Sequence, residues 1–86
     1  MGELRTLPNI GAEIERQLCE VGIDTIDTLK QVGAREAWLR ILAADPSACL
    51  NRLMGLEGAL RGVRYFGLDD ATKDDLRAFY RLHKKG

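Results

Sequence analysis

Neither sign of charge is in excess in this 86-residue chain, which has 13 lysines and arginines against 13 aspartates and glutamates. General attraction to nucleic acid or to an anionic membrane is thereby excluded, because it rests on a basic excess that displaces counterions. Any contact with phosphate must come from a local patch. Cysteine occurs only at Cys19 and Cys49, with no Cys-x-x-Cys spacing, so neither a zinc site nor a dithiol redox site is expected. Two buried thiols in a reducing cytoplasm are the ordinary reading of such a pair. His83 is the single histidine, and no Ser-His-Asp arrangement or phosphate-binding glycine loop accompanies it. With so little to build a catalytic centre, no enzyme, no metal and no cofactor is expected. No apolar run reaches the length of a membrane span, and the first residues lack the apolar segment of a signal peptide. A cytoplasmic protein without a membrane partner is the expectation. Two prolines and no low-complexity stretch argue against disorder.

What is present is helical. The chain is 45% hydrophobic, enough for one domain over residues 1–86 with one modest core. Apolar residues recur at helical spacing and never alternate as in a strand. A first helix is expected from about Ile10, with Asn9 as its N-cap, Ile14, Leu18 and Val21 inward, and Gly22 as its stop. Thr25 should cap a second, burying Ile26, Leu29 and Val32 before Gly33. Ala34, Trp38, Ile41 and Leu42 mark a third. Asp45-Pro46 reads as cap and first residue of a fourth, running to about Arg61. Its inward face would carry Cys49, Leu53, Leu56, Leu60 and Val63. Between Gly62 and Leu68 lies a loop whose Tyr65, Phe66 and Leu68 should fold back on the core. A fifth helix starts after Asp69 or Thr72 and buries Leu76, Phe79 and Tyr80. Five short helices with short links give an all-α fold.

One segment has the shape of a chemistry-bearing motif. Leu7-Pro8-Asn9-Ile10-Gly11, then Gly22-Ile23-Asp24-Thr25 and a second helix, reads as a helix-hairpin-helix element. Its turn leaves the N–H groups of Gly11, Ala12 and Glu13 without helical acceptors, at the positive end of a helix dipole. Asn9, Ile10, Gly11 and Ala12 are therefore the candidate phosphate or DNA contacts, holding the backbone without reading bases. Three details oppose this. Asn9 stands where the usual Gly-hydrophobic-Gly core has glycine, and adds a side chain on the phosphate's approach. At most one helical turn precedes it. Glu13 and Glu15 occupy the first turns. A carboxylate about 6 Å from a phosphate repels it by about 0.7 kcal/mol in water and about 3 kcal/mol at an effective dielectric near 20. A hairpin that is only a corner fits these residues better.

Three further features are candidates. Gly55, Gly58, Ala59 and Gly62 form a small-residue strip, and glycine within a helix costs about 1 kcal/mol against alanine. Such a strip implies close approach by another element, either helix one or five of the same chain or a second copy in a homodimer. Glu57 and Arg61 sit at i, i+4 in the favourable order. With Gly58, Gly62 and Arg64 they read as a structural latch or an interface. Arg77, Arg81, Lys84 and Lys85, with His83 among them, are the one basic patch, and a solvated helix end accounts for it.

Three blocks of sequence resemble the C-terminal domain of the TfoX family, also called Sxy. They are Leu7 to Gly11; Val21-Gly22-Ile23 with Thr25, Leu29, Val32 to Ala34 and Glu36 to Trp38; and Cys49-Leu50, Leu53, Leu56 to Leu60 with Gly62-Val63-Arg64. The resemblance covers nearly the whole chain and implies two orthogonally packed helical hairpins, related to helix-hairpin-helix and SAM-like domains. It also implies a link to competence regulation. In full-length members this domain follows an N-terminal α/β domain, and the protein promotes transcription of DNA-uptake genes alongside the cyclic-AMP receptor protein. Here that N-terminal domain has no counterpart, so a stand-alone copy is expected. The function expected is a non-enzymatic regulatory or interaction module with a protein partner. The alternatives are weak, sequence-independent DNA binding and structural homodimerisation.

Overall fold

Apolar side chains at helical spacing collapse onto one core, and local capping decides where each helix stops. The computed structural model describes residues 3–83. A 3-10 turn at Glu3–Thr6 leads into α1 (Ala12–Glu20), α2 (Ile26–Val32), α3 (Ala34–Ala44) and α4 (Leu50–Arg61), then a second 3-10 turn at Tyr65–Gly67 and α5 (Asp70–His83). Among the described residues there is no strand. α4 is the hub: it packs against α3, α5 and the second 3-10 turn, while α1 and α2 pack on α3.

The core is built from Leu4, Leu18, Ile23, Leu29, Trp38, Ile41, Leu53, Leu56 and Leu76, all fully buried. Trp38 ties three elements together. Its indole N–H donates to the Cys49 carbonyl at 3.1 Å, and its ring lies 6.1 Å from Phe79 and 5.8 Å from Tyr80, which fixes α5 against α3. These are the aromatic residues the periodicity placed inward.

The caps follow local chemistry. Gly22 has φ +89°, and the paired bonds Ile23 N–H to Leu18 O and Gly22 N–H to Cys19 O close a Schellman motif after α1. Gly62, at φ +76°, does the same after α4 through Val63 N–H to Gly58 O and Gly62 N–H to Ala59 O. Thr25 accepts from the Thr28 N–H at 3.1 Å and starts α2, as expected. Asp69 accepts from the Thr72 N–H at 3.2 Å, so α5 starts after Asp69 rather than after Thr72.

Three expectations are corrected. First, α4 begins at Leu50, not at Pro46. The Asp45 carboxylate is taken up by the Ser47 hydroxyl at 2.6 Å and the Ser47 N–H at 3.0 Å, a local turn that competes with helix. Its other oxygen accepts from Gln17 at 2.7 Å and from Arg52 at 3.3 Å. Second, Tyr65 and Phe66 do not fold back, and Val63, expected on the inner face of α4, lies beyond its end and is exposed; only Leu68 of that segment is buried. Third, Cys19 and Cys49 are both exposed. Cys49 holds the N-cap position of α4 rather than a place on its inner face.

Asp45 carries a pH prediction. The Ser47 hydroxyl and N–H, then Gln17, hold its carboxyl down at about 2 from an ordinary 3.8; burial opposes the shift and Arg52 adds to it. A folded-state pKa below the unfolded value means stability that is present above about pH 4 and lost as pH falls toward 2. Asp45→Asn should therefore be less stable than wild type near neutrality. The two stabilities should converge between about pH 4 and pH 2 in acid titrations followed by circular dichroism. A gap that stays constant across that window would contradict this role for Asp45.

Candidate functional site

The hairpin turn is where the sequence placed it, but its asparagine does something else. Leu7 N–H bonds to Leu4 O at 3.0 Å and Ile10 N–H to Leu7 O at 3.4 Å, so Leu7 to Ile10 folds as a tight turn between two buried anchors, Leu4 and Ile10. α1 starts at Ala12, with Gly11 in the N-cap position and no side-chain cap. Asn9 is not the N-cap. It is the one described non-glycine residue with positive φ, +69°, a conformation its short polar side chain tolerates.

That backbone conformation goes with a side chain turned away from the α1 terminus and onto α4. Asn9 Nδ2 donates to Gly55 O at 3.3 Å and to Val63 O at 3.0 Å, while Oδ1 accepts from the Tyr65 N–H at 3.2 Å. One side chain thereby joins the hairpin turn, the middle of α4 and the segment that follows α4. The approach is so close that a Cβ built on Gly58 would lie 2.7 Å from Val63 O and 2.8 Å from Asn9 Nδ2. Gly55 is less crowded, with its Cβ position 3.4 Å from Asn9 Cβ. Gly55 and Gly58, both buried, are thus approached within the chain by the hairpin turn and the Val63–Tyr65 segment, while Gly62 has open space beside it.

The two carboxylates set against a phosphate are engaged. Glu15 is buried and paired with Arg5 at 2.8 Å. Burial would raise its pKa, but the hydrogen bond and charge of Arg5 outweigh that and leave it below the usual range. Glu13 pairs with Arg16, which also holds Glu20 at 2.6 Å. Outside the turn, Arg5, Thr6, the residues Leu7 to Gly11 and Arg64 border an open recess of about 620 Å³.

The proposed latch comes apart into two pieces. Arg61 binds Glu57 at 2.7 Å and Asp69 at 3.3 Å, and so ties the end of α4 to the start of α5. Arg64 is exposed and joins neither, and it has no ion-pair partner among the described residues. What holds Val63 to Tyr65 is Asn9, with Gly58 giving it room. Of the basic patch, only Arg77 and Arg81 lie among the described residues. Arg77 pairs with Asp74 at 3.2 Å, Arg81 is exposed, and Lys84 and Lys85 lie outside the described residues. His83 donates its Nδ1–H to the Phe79 carbonyl oxygen at 2.9 Å and packs at a tilt against the Phe79 ring.

Sequence reasoning missed the surface that results. Val63, Tyr65 and Phe66 are 38%, 41% and 69% exposed, and the two aromatic rings meet edge to face at 5.7 Å. Next to them a second groove, about 470 Å³, runs between α1, α4 and Tyr65, with Ile14 and Gly55 in its wall and Arg64 on its edge. The sequence reading folds Tyr65, Phe66 and Leu68 back together because bulky residues are usually buried, and of the three only Leu68 is.

Comparison with known proteins places the chain. Residues 1–80 match the TfoX C-terminal domain. Over 73 residues the chain is 34% identical to Protein Sxy of Escherichia coli (strain K12), covering 85% of this chain and 35% of Sxy, so it spans about a third of that relative. The fold is also that of an uncharacterized protein from Listeria monocytogenes in a triclinic crystal form, at TM-score 0.93 and 45% identity, covering 95% of this chain and 93% of the other. A protein of unknown function from Listeria monocytogenes, in a tetragonal form, matches at TM-score 0.89 and 46% identity over 91% and 96% of the two chains.

Proposed function

We propose a role for this chain from its kinship: it belongs to the TfoX C-terminal domain family. The role is that of a non-enzymatic regulatory module that works by contact with a protein partner. One observation carries this reading. Val63, Tyr65 and Phe66 stand together at the surface on a segment that Asn9 holds in place. Aromatic residues are enriched in the cores of protein interfaces, and a rigid backbone beneath them lowers the entropy lost on docking.

Capture from native lysate tests it. The wild-type chain should retain the same partner in replicate experiments, and Phe66→Asp should retain about tenfold less of it, as expected when an aromatic anchor is removed. Phe66 is exposed, so the variant should keep its helical circular-dichroism spectrum. Absence of a reproducible partner, or equal capture by the variant, would contradict the reading.

A second reading is weak, sequence-independent DNA binding. It draws on the recess outside Leu7 to Gly11, where the first-turn N–H groups of α1 lie near Arg5 and Arg64. Arg5 is already committed to Glu15, which leaves Arg64 as the cation there without an ion pair among the described residues. Such binding would depend steeply on salt.

A further inference from the structure

We propose that the groove beside Tyr65 takes an acidic, amphipathic helical segment of a partner protein, with Arg64 as the residue that selects its charge. This rests on the protein-contact reading above and names the chemistry of the partner. Three charged side chains line the groove. Glu13 is held by Arg16, and Arg52 by Asp45 and Gln17. Arg64 is the one whose charge no carboxylate among the described residues answers. The groove therefore offers the unanswered positive charge of Arg64, an apolar contact at Ile14 and an aromatic one at Tyr65, which Phe66 backs edge to face.

A carboxylate flanked by apolar side chains complements all three. A nucleic-acid backbone complements only the first, because phosphate gains nothing from an apolar wall. A helix laying one face into a groove is a recurrent mode of recognition, with anchors at i and i+4. Arg64 also suits the task chemically, since its guanidinium can hold a carboxylate through two parallel hydrogen bonds.

The test uses three synthetic peptides with leucine and phenylalanine at i and i+4 and with glutamate, glutamine or lysine at the flanking positions. Each is titrated into the 15N-labelled chain and into its Arg64→Glu variant, alongside a 12-base-pair DNA duplex. In the wild type the glutamate peptide should bind about threefold tighter than the glutamine peptide, and the lysine peptide weakest, with amide shifts at Ile14, Gly55 and Tyr65. Arg64→Glu should invert that order, and added salt should compress it. Binding that ignores the flanking charge, an order unchanged by Arg64→Glu, or no binding of the glutamate peptide at millimolar concentration would overturn the proposal. So would a duplex that moves the same amides more strongly than any peptide, or concentration-dependent shifts of those amides in the unliganded chain, which would mark a second copy as the occupant. A lysate partner lost with Phe66→Asp, combined with peptides that show no charge order, would sink this proposal and leave the protein-contact reading standing.

Discussion

Asn9→Ala should lower stability by about 3 kcal/mol, a fall of about 15 °C in melting temperature for a domain of this size. Three hydrogen bonds go at once: two donated by Nδ2 to Gly55 O and Val63 O, and one accepted by Oδ1 from the Tyr65 N–H. Each contributes about 0.5 to 1 kcal/mol net, the lower value applying where water can replace the partner. Alanine must also hold the left-handed backbone at φ +69°, which costs about 1 kcal/mol. Asn9→Gly separates these effects. Glycine accepts the backbone freely and restores the usual hairpin core, so it should recover about 1 kcal/mol relative to alanine while leaving the hydrogen bonds lost. Asn9→Gly as stable as wild type in thermal melts would show that the side-chain bonds contribute nothing.

Gly58→Ala should cost about 2 kcal/mol, although alanine is the better helix former by about 1 kcal/mol. Its methyl group would meet the Val63 carbonyl at 2.7 Å and Asn9 Nδ2 at 2.8 Å. The first of these is backbone and cannot swing aside, so the Val63–Tyr65 segment would have to lift from α4. Gly55→Ala is the control. Its Cβ would stand 3.4 Å from Asn9 Cβ, an ordinary contact, so the helix-propensity gain should survive and stability should hold or rise by up to about 1 kcal/mol. Thermal melts of the two variants should therefore move apart by about 10 °C or more. Equal behaviour would contradict the packing described between the hairpin turn and α4. Because Asn9 and Gly58 touch, their substitutions should not be additive, and Gly58→Ala should cost less in an Asn9→Ala background.

Legibility from sequence followed the range of the interactions. Gly22, Thr25 and Gly33 are legible because their roles depend on the backbone within a few residues, and Asp69 is one of the two starts that the sequence offers for α5. Asn9 reads locally as an N-cap, but its partners lie 46 to 56 residues away, and nothing local distinguishes a cap from a tertiary bridge. The glycines of α4 announced a close neighbour but not which one. Asp45-Pro46 looked like a helix start, and the local pull of Ser47 on the Asp45 carboxylate moved that start to Leu50. Arg64 stood out in the sequence with Glu57 and Arg61, yet the Schellman turn at Gly62 sends the chain off the helix axis and carries Arg64 away from that pair. The exposed Tyr65 and Phe66 were hidden for the same reason: burial is decided by how the turn aims the segment, not by the bulk of its residues.

Asn9 ties the hairpin turn to α4, and the surface proposed for partner contact, Val63 to Phe66, lies on the segment that the same side chain holds. A low-salt titration of the 15N-labelled chain with a short DNA duplex tests this most directly. The amides of Gly11, Ala12 and Glu13 should stay where they are. Saturable movement of those amides, reversed by salt, would contradict it and make the hairpin a phosphate site.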